Sequence, residues 1–238
     1  MIYEDKNKYK VEYIGEKFSK DLTSYKLIII GMYGVGKTTT IHRLMNKEPE
    51  KEYAPTMSID IKNVQVKVND TIIQINIWDC CGNDKFALST PNLFKNASVT
   101  ILIYAIDNKQ SYNDLENWYN MLKNNSNGGI IFLIGNKNDL EEKEREVKIE
   151  EGEKFKNNYD DIKMFFEASA LKGNNMDKLL ENISISIYEK NKIEENEEDK
   201  AIRKTITLNK EDFTKNGEEE GKGKGKGDGK KKKKKRFC

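Results

Sequence analysis

Long apolar runs occur only between residues 25 and 190 of this 238-residue chain. Short apolar runs bounded by polar or turn residues are typical of buried strands, and the turn Asn69-Asp70 suits a hairpin between two of them. The pattern predicts six strands, near residues 26–30, 59–68, 72–78, 99–106, 130–134 and 163–167.

Helical patterns fall between these strands and after the last one. We predict helices near residues 36–46, 86–95, 112–124, 149–158 and 175–190. The last helix has a one-sided apolar stripe, which we assign to the core: Met176, Leu179, Leu180, Ile183 and Ile187. Alternating strands and helices predict an α/β fold, in which helices cover both faces of a mostly parallel six-stranded sheet.

Three segments differ in composition. Residues 25–190 form the predicted folded domain. In residues 1–24 the lysines and acidic residues balance, and we expect a disordered or loosely docked leader of unknown function. Residues 191–238 run from an acidic stretch through a Gly-Lys repeat to unbroken positive charge at 230–236, and this composition predicts a disordered polybasic tail. The net charge of +2 hides that asymmetry.

A glycine-rich segment follows the first predicted strand and leads into a predicted helix. It reads Gly31-Met32-Tyr33-Gly34-Val35-Gly36-Lys37-Thr38, which fits the phosphate-binding pattern G-x-x-x-x-G-K-[ST] in its strand–loop–helix context. Glycines let backbone N–H groups turn toward a triphosphate, a lysine places a cation on its β- and γ-phosphates, and a threonine hydroxyl can bind Mg²⁺. This predicts a P-loop NTPase whose phosphate-binding residues are Gly34, Val35, Gly36, Lys37, Thr38 and Thr39.

The nucleotide base is read elsewhere. Residues 136–139 read Asn-Lys-Asn-Asp at the end of a predicted strand. The Asp139 carboxylate can accept hydrogen bonds from guanine N1–H and the 2-amino group, which adenine does not offer in this pattern. The aliphatic part of Lys137 can cover the purine, and Asn136 belongs to the same motif. Residues 169–171, Ser-Ala-Leu, follow the last strand and can donate backbone N–H groups to guanine O6.

Between these motifs lies Trp78-Asp79-Cys80-Cys81-Gly82. An aspartate directly after an apolar strand suits the water shell of Mg²⁺. Gly82 can bring its N–H group against a γ-phosphate. Upstream, Thr56 supplies a further hydroxyl 18 positions after Thr38.

Together, in this order and at this spacing, the motifs resemble those of the Ras-superfamily small GTPases, most closely the Rab branch, over about residues 25–190. Four features carry the Rab resemblance: Trp78 before Asp79, Ile59-Asp60-Ile61, Asp84-Lys85-Phe86, and Ser111-Tyr112-Asn113-Asp114-Leu115 with Trp118. The resemblance implies a monomeric small-G domain that binds GTP or GDP with Mg²⁺ held at Thr38, Thr56 and Asp79. It makes Thr56 the switch I threonine and places Asp79 and Gly82 at the start of switch II.

The resemblance also implies partners and a location. The partners are an exchange factor, a GTPase-activating protein, effectors, a dissociation inhibitor and the prenylation machinery. The location is the cytoplasmic face of an intracellular membrane, with cycling to the cytosol. The implied function is a switch that binds and slowly hydrolyses GTP and recruits effectors in vesicle traffic.

Departures from the family pattern concern hydrolysis. Lys37, Gly82 and Asn83 occupy the catalytic positions, but Asn83 stands where the family usually has a longer glutamine that orients water. Tyr33 stands where a small residue is usual, near the expected γ-phosphate. Because this chemistry depends on positioning, slow hydrolysis is expected. The alternative is a pseudo-GTPase scaffold that binds GTP with negligible turnover.

The basic tail has three interpretations: a solvated segment, a nuclear or nucleic-acid-binding segment of another small-GTPase branch, and a membrane anchor. We favour the anchor because the terminal Cys238 suits a lipid and residues 230–236 supply the second, electrostatic signal for an anionic membrane. No specific nucleic acid is then expected. The usual Rab end has two cysteines, and a C-a-a-X box is absent here.

Other classes of function are disfavoured. Three cysteines give no disulfide framework, and Cys80 and Cys81 are expected to pack in the core rather than bind a metal. His42 is the only histidine, which argues against histidine-based catalysis. No apolar run of membrane-spanning length occurs, and Ile2 argues against N-terminal myristoylation.

Overall fold

The computed structural model describes residues 8–49, 56, 58–82, 91–194 and 197. The chain divides into two units, residues 1–191 and residues 192–238. The description below concerns the first unit. Two regions that the sequence analysis singled out, Asn83 with its neighbours and the polybasic end with Cys238, lie outside the described residues.

Seven strands form one sheet. They are β1 (Val11–Gly15), β2 (Ser24–Ile30), β3 (Asp60–Val68), β4 (Thr71–Asp79), β5 (Ala97–Ala105), β6 (Ile130–Asn136) and β7 (Ile162–Ala168). Their order across the sheet is β1-β3-β4-β2-β5-β6-β7. The pairs from β4 through β7 are parallel, whereas β1–β3 and β3–β4 are antiparallel. The predicted α/β fold with a mostly parallel sheet is therefore confirmed.

The central strand β2 shows why the sheet is covered on both faces. Successive strand side chains point to opposite faces, and all four residues from 27 to 30 are buried. Leu27 and Ile29 pack into one apolar core, and Ile28 and Ile30 pack into the other. A near-continuous apolar run is typical of a parallel strand buried on both sides.

Helices cover these two cores. They are α1 (Lys37–Leu44), α2 (Lys109–Asn113), α3 (Leu115–Asn125), α4 (Ile149–Asn157) and α5, which begins at residue 176 and is helical to the last residue of this unit, 191. The predicted apolar stripe of α5 is buried in the first core, as expected. The helix predicted over 86–95 is described only from residue 91, where Pro91–Leu93 form a single 3₁₀ turn. Among the described residues, no helix combines the length and the apolar character that crossing a bilayer requires.

The helix predicted over 112–124 is two helices with a break at Asp114. The side chain of Asn108 accepts a hydrogen bond from the Ser111 N–H at the start of α2. The Asp114 carboxylate accepts hydrogen bonds from Asn117 Nδ2 at 2.8 Å and Trp118 Nε1 at 3.0 Å. These bonds tie Asp114 to the first turn of α3, but its side chain caps no backbone N–H group, so they do not by themselves explain the break.

The N-terminal segment corrects one expectation. A disordered or loosely docked leader was expected over residues 1–24, but residues 11–15 form β1 and add a seventh strand to the six predicted. The Tyr13 hydroxyl donates to the Met45 carbonyl at 3.1 Å, and the Tyr9 hydroxyl donates to Glu189 at 2.8 Å. The tyrosines pack against the first core. Because the segment lacks a long apolar run, its strand could not be recognised locally.

Buried polar contacts also hold this segment. The Gln74 side chain, fully buried on β4, accepts from the Ser19 N–H at 2.7 Å and donates to the Ser19 carbonyl at 3.1 Å. It also bonds the side chains of Ser24 and Gln65. Since a buried amide without partners is costly, Gln74 makes residues 19–24 an integral part of the sheet.

Candidate functional site

The glycine-rich segment lies between the end of β2 and the start of α1. Gly36 precedes α1 with φ 94° and ψ 30°, in the left-handed region that favours glycine. A Cβ atom at Gly36 would also collide with the Asn136 side-chain amide. The segment therefore needs glycine here for its backbone conformation and for the close approach of β6. The N-terminus of α1, with its positive dipole end, faces this loop.

Lys37 is the first residue of α1, and its side chain is only 6% exposed. Its Nζ atom donates to the carbonyl oxygens of Gly31 at 3.0 Å and Met32 at 2.8 Å. Burial lowers the pKa of Lys37 to about 8, and the nearby Asp79 carboxylate opposes this shift. A buried ammonium group held mainly by neutral carbonyls has unsatisfied attraction for an anion, so this position suits a phosphate.

The three predicted metal-binding residues meet beside Lys37. Thr38 Oγ1 donates to Asp79 Oδ2 at 2.7 Å, and it lies 2.9 Å from Thr56 Oγ1. Thr56 lies 18 positions and Asp79 lies 41 positions after Thr38 in the sequence. The prediction that they form one site agrees with this geometry.

Asp79 has the character of a metal ligand. Its Oδ1 atom is buried and has no hydrogen-bond partner among the described residues. Burial raises the pKa of Asp79, although the Thr38 hydrogen bond and the Lys37 charge partly offset the rise. Mg²⁺ usually keeps several water ligands and takes one or two carboxylates together with phosphate oxygens. One carboxylate with a free oxygen and two hydroxyls therefore fit Mg²⁺.

Gly82 lies directly against the phosphate-binding loop. A Cβ atom at this position would collide with the Tyr33 backbone nitrogen and would come within 2.5 Å of Lys37 Nζ. Only glycine fits this close approach, which agrees with the expected contact between its N–H group and a phosphate. The Tyr33 side chain is 68% exposed at the rim of the loop. Asn83, the third predicted catalytic residue, lies outside the described residues.

Asn136 connects the two halves of the site. Its Nδ2 donates to the Val35 carbonyl at 2.7 Å, and its Oδ1 accepts from the Ala170 N–H at 2.9 Å. The residue is 2% exposed. Sequence analysis placed Asn136, Val35 and Ala170 among the nucleotide contacts. In the structure the buried Asn136 side chain forms hydrogen bonds with the backbone of the other two. The Ala170 N–H, expected to donate to guanine, is occupied by the hydrogen bond to Asn136.

Asp139 is held in place by a residue from the loop after β7. The buried Ser169 hydroxyl donates to Asp139 Oδ1, and the Lys172 N–H donates to Ser169 Oγ at 2.9 Å. Ser169 thus orients the carboxylate that was predicted to recognise guanine.

Lys137 has a partner that sequence analysis missed. It adopts φ 71° after β6, and its Nζ donates to Asp107 Oδ2 at 2.9 Å. Asp107 follows β5, and its Oδ1 is buried without a partner among the described residues. The signal that could have found Asp107 is its place after an apolar strand, the same position that drew attention to Asp79.

Arg43 on α1 was also missed. Its Nε donates to the Ala170 carbonyl at 2.9 Å, and its Nη2 donates to the Leu171 carbonyl at 2.6 Å. These contacts join residues about 127 positions apart, and no local pattern indicates them.

Cys80 and Cys81 follow Asp79 at the end of β4. Cys80 is buried in the second core, and burial raises the pKa of its thiol to about 12. It is therefore protonated at neutral pH and packs as a small apolar side chain. Cys81 is partly exposed. Within the described part of the chain, no group of three or more histidine, cysteine or acidic residues could hold a metal ion.

Comparison with known protein families gives one match. The Ras family model matches residues 26–189, which is more than half of the chain. The matched region contains every described residue of the site from the glycine-rich loop to Leu171. It begins after β1, so the N-terminal strand is an addition to the matched region.

Proposed function

The chain belongs to the Ras family of small GTPases, and on this premise we propose that it is a Rab-like, membrane-tethered switch that binds GTP and GDP with Mg²⁺ and slowly hydrolyses GTP. The observation that carries the nucleotide part is the meeting of Lys37, Thr38, Thr56 and Asp79 at the C-terminal ends of β2 and β4. Ligands of open α/β sheets bind at such ends.

Each residue has a defined task in this proposal. Lys37 and the backbone N–H groups of the loop bind the phosphates, while Asp139 recognises the base. Thr38, Thr56 and Asp79 would hold Mg²⁺, which neutralises phosphate charge when bound. Gly82 supplies a backbone N–H group at the γ-phosphate. Together these residues orient GTP and shield its γ-phosphate from bulk water.

The proposed switch involves the segments that carry Thr56 and Gly82, and Thr56 contacts Thr38 beside the phosphate position. A γ-phosphate that binds Thr56 and Gly82 at the same time orders both of their segments, and hydrolysis releases them. Ras-family GTPases in general are regulated by exchange factors and GTPase-activating proteins and act through effectors. For this chain we propose effectors in vesicle traffic, a dissociation inhibitor and prenylation machinery, on the strength of the Rab-like residues around Trp78 and residues 111–118.

The test of nucleotide binding is calorimetry of the full chain with GDP and Mg²⁺, with ADP as the matched control. We expect saturable binding of GDP and at least a hundredfold weaker binding of ADP, because a base-reading carboxylate left without partners is costly. Equal binding of the two nucleotides would contradict guanine recognition.

Slow hydrolysis is the first prediction from the proposed function. Asn83 is one methylene shorter than a glutamine, and the Tyr33 side chain stands at the loop rim. Asn83→Gln should speed single-turnover GTP hydrolysis if the asparagine side chain is too short to hold the attacking water. Tyr33→Gly should do so if the tyrosine ring crowds that water. We expect about a hundredfold increase from the limiting residue, since a misplacement of about 1 Å can cost that much. The measurement is phosphate release from preloaded protein.

The same assay separates the alternative function. A pseudo-GTPase scaffold would retain GTP with negligible phosphate release in the parent. Hydrolysis by the parent at an ordinary unassisted small-GTPase rate would instead contradict the reading of both positions.

Membrane attachment is the second prediction. We propose that a lipid on Cys238 and the basic residues 230–236 act together, because one lipid chain gives only marginal attachment. Cys238→Ser and neutralisation of residues 230–236 should each move the tagged protein from membranes to cytosol in its native cells. Salt should weaken liposome binding of the lipidated parent far more than that of the neutral-tail variant.

The controls concern the folded domain and the lipid itself. Nucleotide affinity should be unchanged in both tail variants. Mass spectrometry that finds Cys238 unmodified in native protein would contradict the anchor. Accumulation of the parent in the nucleus would then favour the other candidate, a small GTPase of another branch with a nuclear or nucleic-acid-directed basic tail.

A further inference from the structure

The loop after β7 is held from two sides. On one side, Asn136 accepts a hydrogen bond from the Ala170 N–H at 2.9 Å. On the other side, the Arg43 guanidinium donates to the carbonyl oxygens of Ala170 and Leu171 at 2.9 Å and 2.6 Å. Charge-assisted hydrogen bonds with two donors on one planar group restrict orientation as well as distance.

The loop packs closely over this guanidinium. Gly173 adopts φ 83°, and a Cβ atom at this position would lie 3.9 Å from the Arg43 guanidinium carbon. Arg43 has a third contact, from Nη1 to Glu48 at 2.8 Å, in which the Glu48 side chain is 86% exposed. The Arg43 side chain is 17% exposed. Its contact with the Ala170 carbonyl is partly buried, whereas its contact with the Leu171 carbonyl lies nearer the surface. The ion pair with the exposed Glu48 contributes little.

The direction of one N–H group follows from these contacts. The peptide bond between Ala170 and Leu171 is trans, so its C=O and N–H groups point to opposite sides. Because the Ala170 carbonyl points at Arg43, the Leu171 N–H points away from Arg43. The Ala170 N–H already donates to Asn136. Of the two backbone N–H groups of Ala170 and Leu171, the Leu171 N–H is therefore the one that can donate to a ligand.

We propose that Arg43 is a positioning residue for guanine recognition, which orients the Leu171 N–H toward the 6-oxo group of the base. This inference rests on the proposed guanine-nucleotide function. Arg43 does not contact the nucleotide in this proposal. It lies on α1, the helix that follows the glycine-rich loop. One helix therefore adjoins that loop and also contacts the loop after β7.

The test uses three diphosphates that differ at the base: GDP, inosine diphosphate and 2-aminopurine riboside diphosphate. The first two carry the 6-oxo group, and the third lacks it. Arg43→Ala should weaken GDP and inosine diphosphate by about tenfold, as for one lost hydrogen bond in a buried site. The same change should alter affinity for the 2-aminopurine nucleotide by less than about twofold.

Two further variants keep the test informative. Arg43→Lys retains the charge but not the paired donors, and it should give an intermediate loss for the 6-oxo nucleotides even if the alanine variant folds poorly. Glu48→Gln removes only the exposed ion pair, and it should behave as the parent with all three nucleotides. Affinities are measured by competition calorimetry on the full chain.

Three results would overturn the proposal. An equal loss for all three nucleotides would mean that Arg43 only stabilises the fold, and no loss for any of them would mean that the loop needs no such support. Failure of the parent to bind GDP would overturn the proposed nucleotide function itself, and the inference with it.

Discussion

Lys37→Ala is expected to weaken both GTP and GDP binding by about 2–5 kcal/mol, as when one partner of a buried charged contact is removed. The Lys37 ammonium group is buried, and among the described residues it donates to the Gly31 and Met32 carbonyls. A bound β/γ-phosphate would be its strongest partner. Calorimetry with each nucleotide measures the loss, and normal binding of either one by the variant would contradict the assignment of this loop.

Lys26→Ala is the matched control. Lys26 lies on β2, and its Nζ likewise donates to two backbone carbonyls, those of Asn92 at 2.8 Å and Lys95 at 3.1 Å. Burial lowers its pKa as well. Its Nζ also lies 3.9 Å from the centre of the Trp78 ring. Among the described residues its hydrogen bonds go to the segment at 92–95 and not to the phosphate loop, so its loss should reduce stability and leave nucleotide affinity unchanged. Thr38→Asn, which disturbs the Mg²⁺ position, should weaken GTP more than GDP.

The same lysine gives a pH dependence. In the free protein the pKa of Lys37 is lowered to about 8, and a bound phosphate must raise it, because a nearby negative charge favours the protonated form. Above that pH the complex therefore holds a proton that the free protein lacks, so affinity falls as pH rises. Below it, this group makes affinity independent of pH. Lys37→Ala should remove the decline.

Asp139→Asn is expected to weaken GTP and GDP by about a hundredfold or more and to favour xanthine nucleotides, because a site built for polar partners rejects ligands that leave them unpaired. The carboxylate is oriented by Ser169, so an asparagine keeps the place but presents an amide donor. Xanthine has a carbonyl where guanine has its 2-amino group and can accept from that amide. Competition calorimetry with guanosine and xanthosine diphosphates measures the change in affinity.

Asp177→Asn controls for the loss of one negative charge. Asp177 is exposed on α5, and its change should leave both affinities unchanged. Equal GTP affinity in the parent and the Asp139 variant would show that another residue reads the base.

The amino-acid pattern alone was enough to predict the six strands from β2 to β7 and to place candidate site residues at their ends. Strands such as residues 27–30 are apolar at every position, because both faces are buried, and this signal is local. The candidate phosphate and metal residues Lys37, Thr38 and Asp79 could also be predicted locally, since each lies at the end of an apolar strand or directly after the loop that follows it. Predicting that they converge required only the rule that parallel strands end at one edge.

The contacts that support this candidate site became visible only in the folded structure. β1 joins the sheet through pairing with β3 and through Gln74, which bonds Ser19 55 positions away. Asn136 bonds Val35 and Ala170 instead of standing alone as a nucleotide contact. Arg43 on α1 donates to the Ala170 carbonyl in the loop after β7. Each of these polar groups is satisfied by a backbone group distant in sequence, and such a partner follows from the packing of elements, which no local period or spacing encodes.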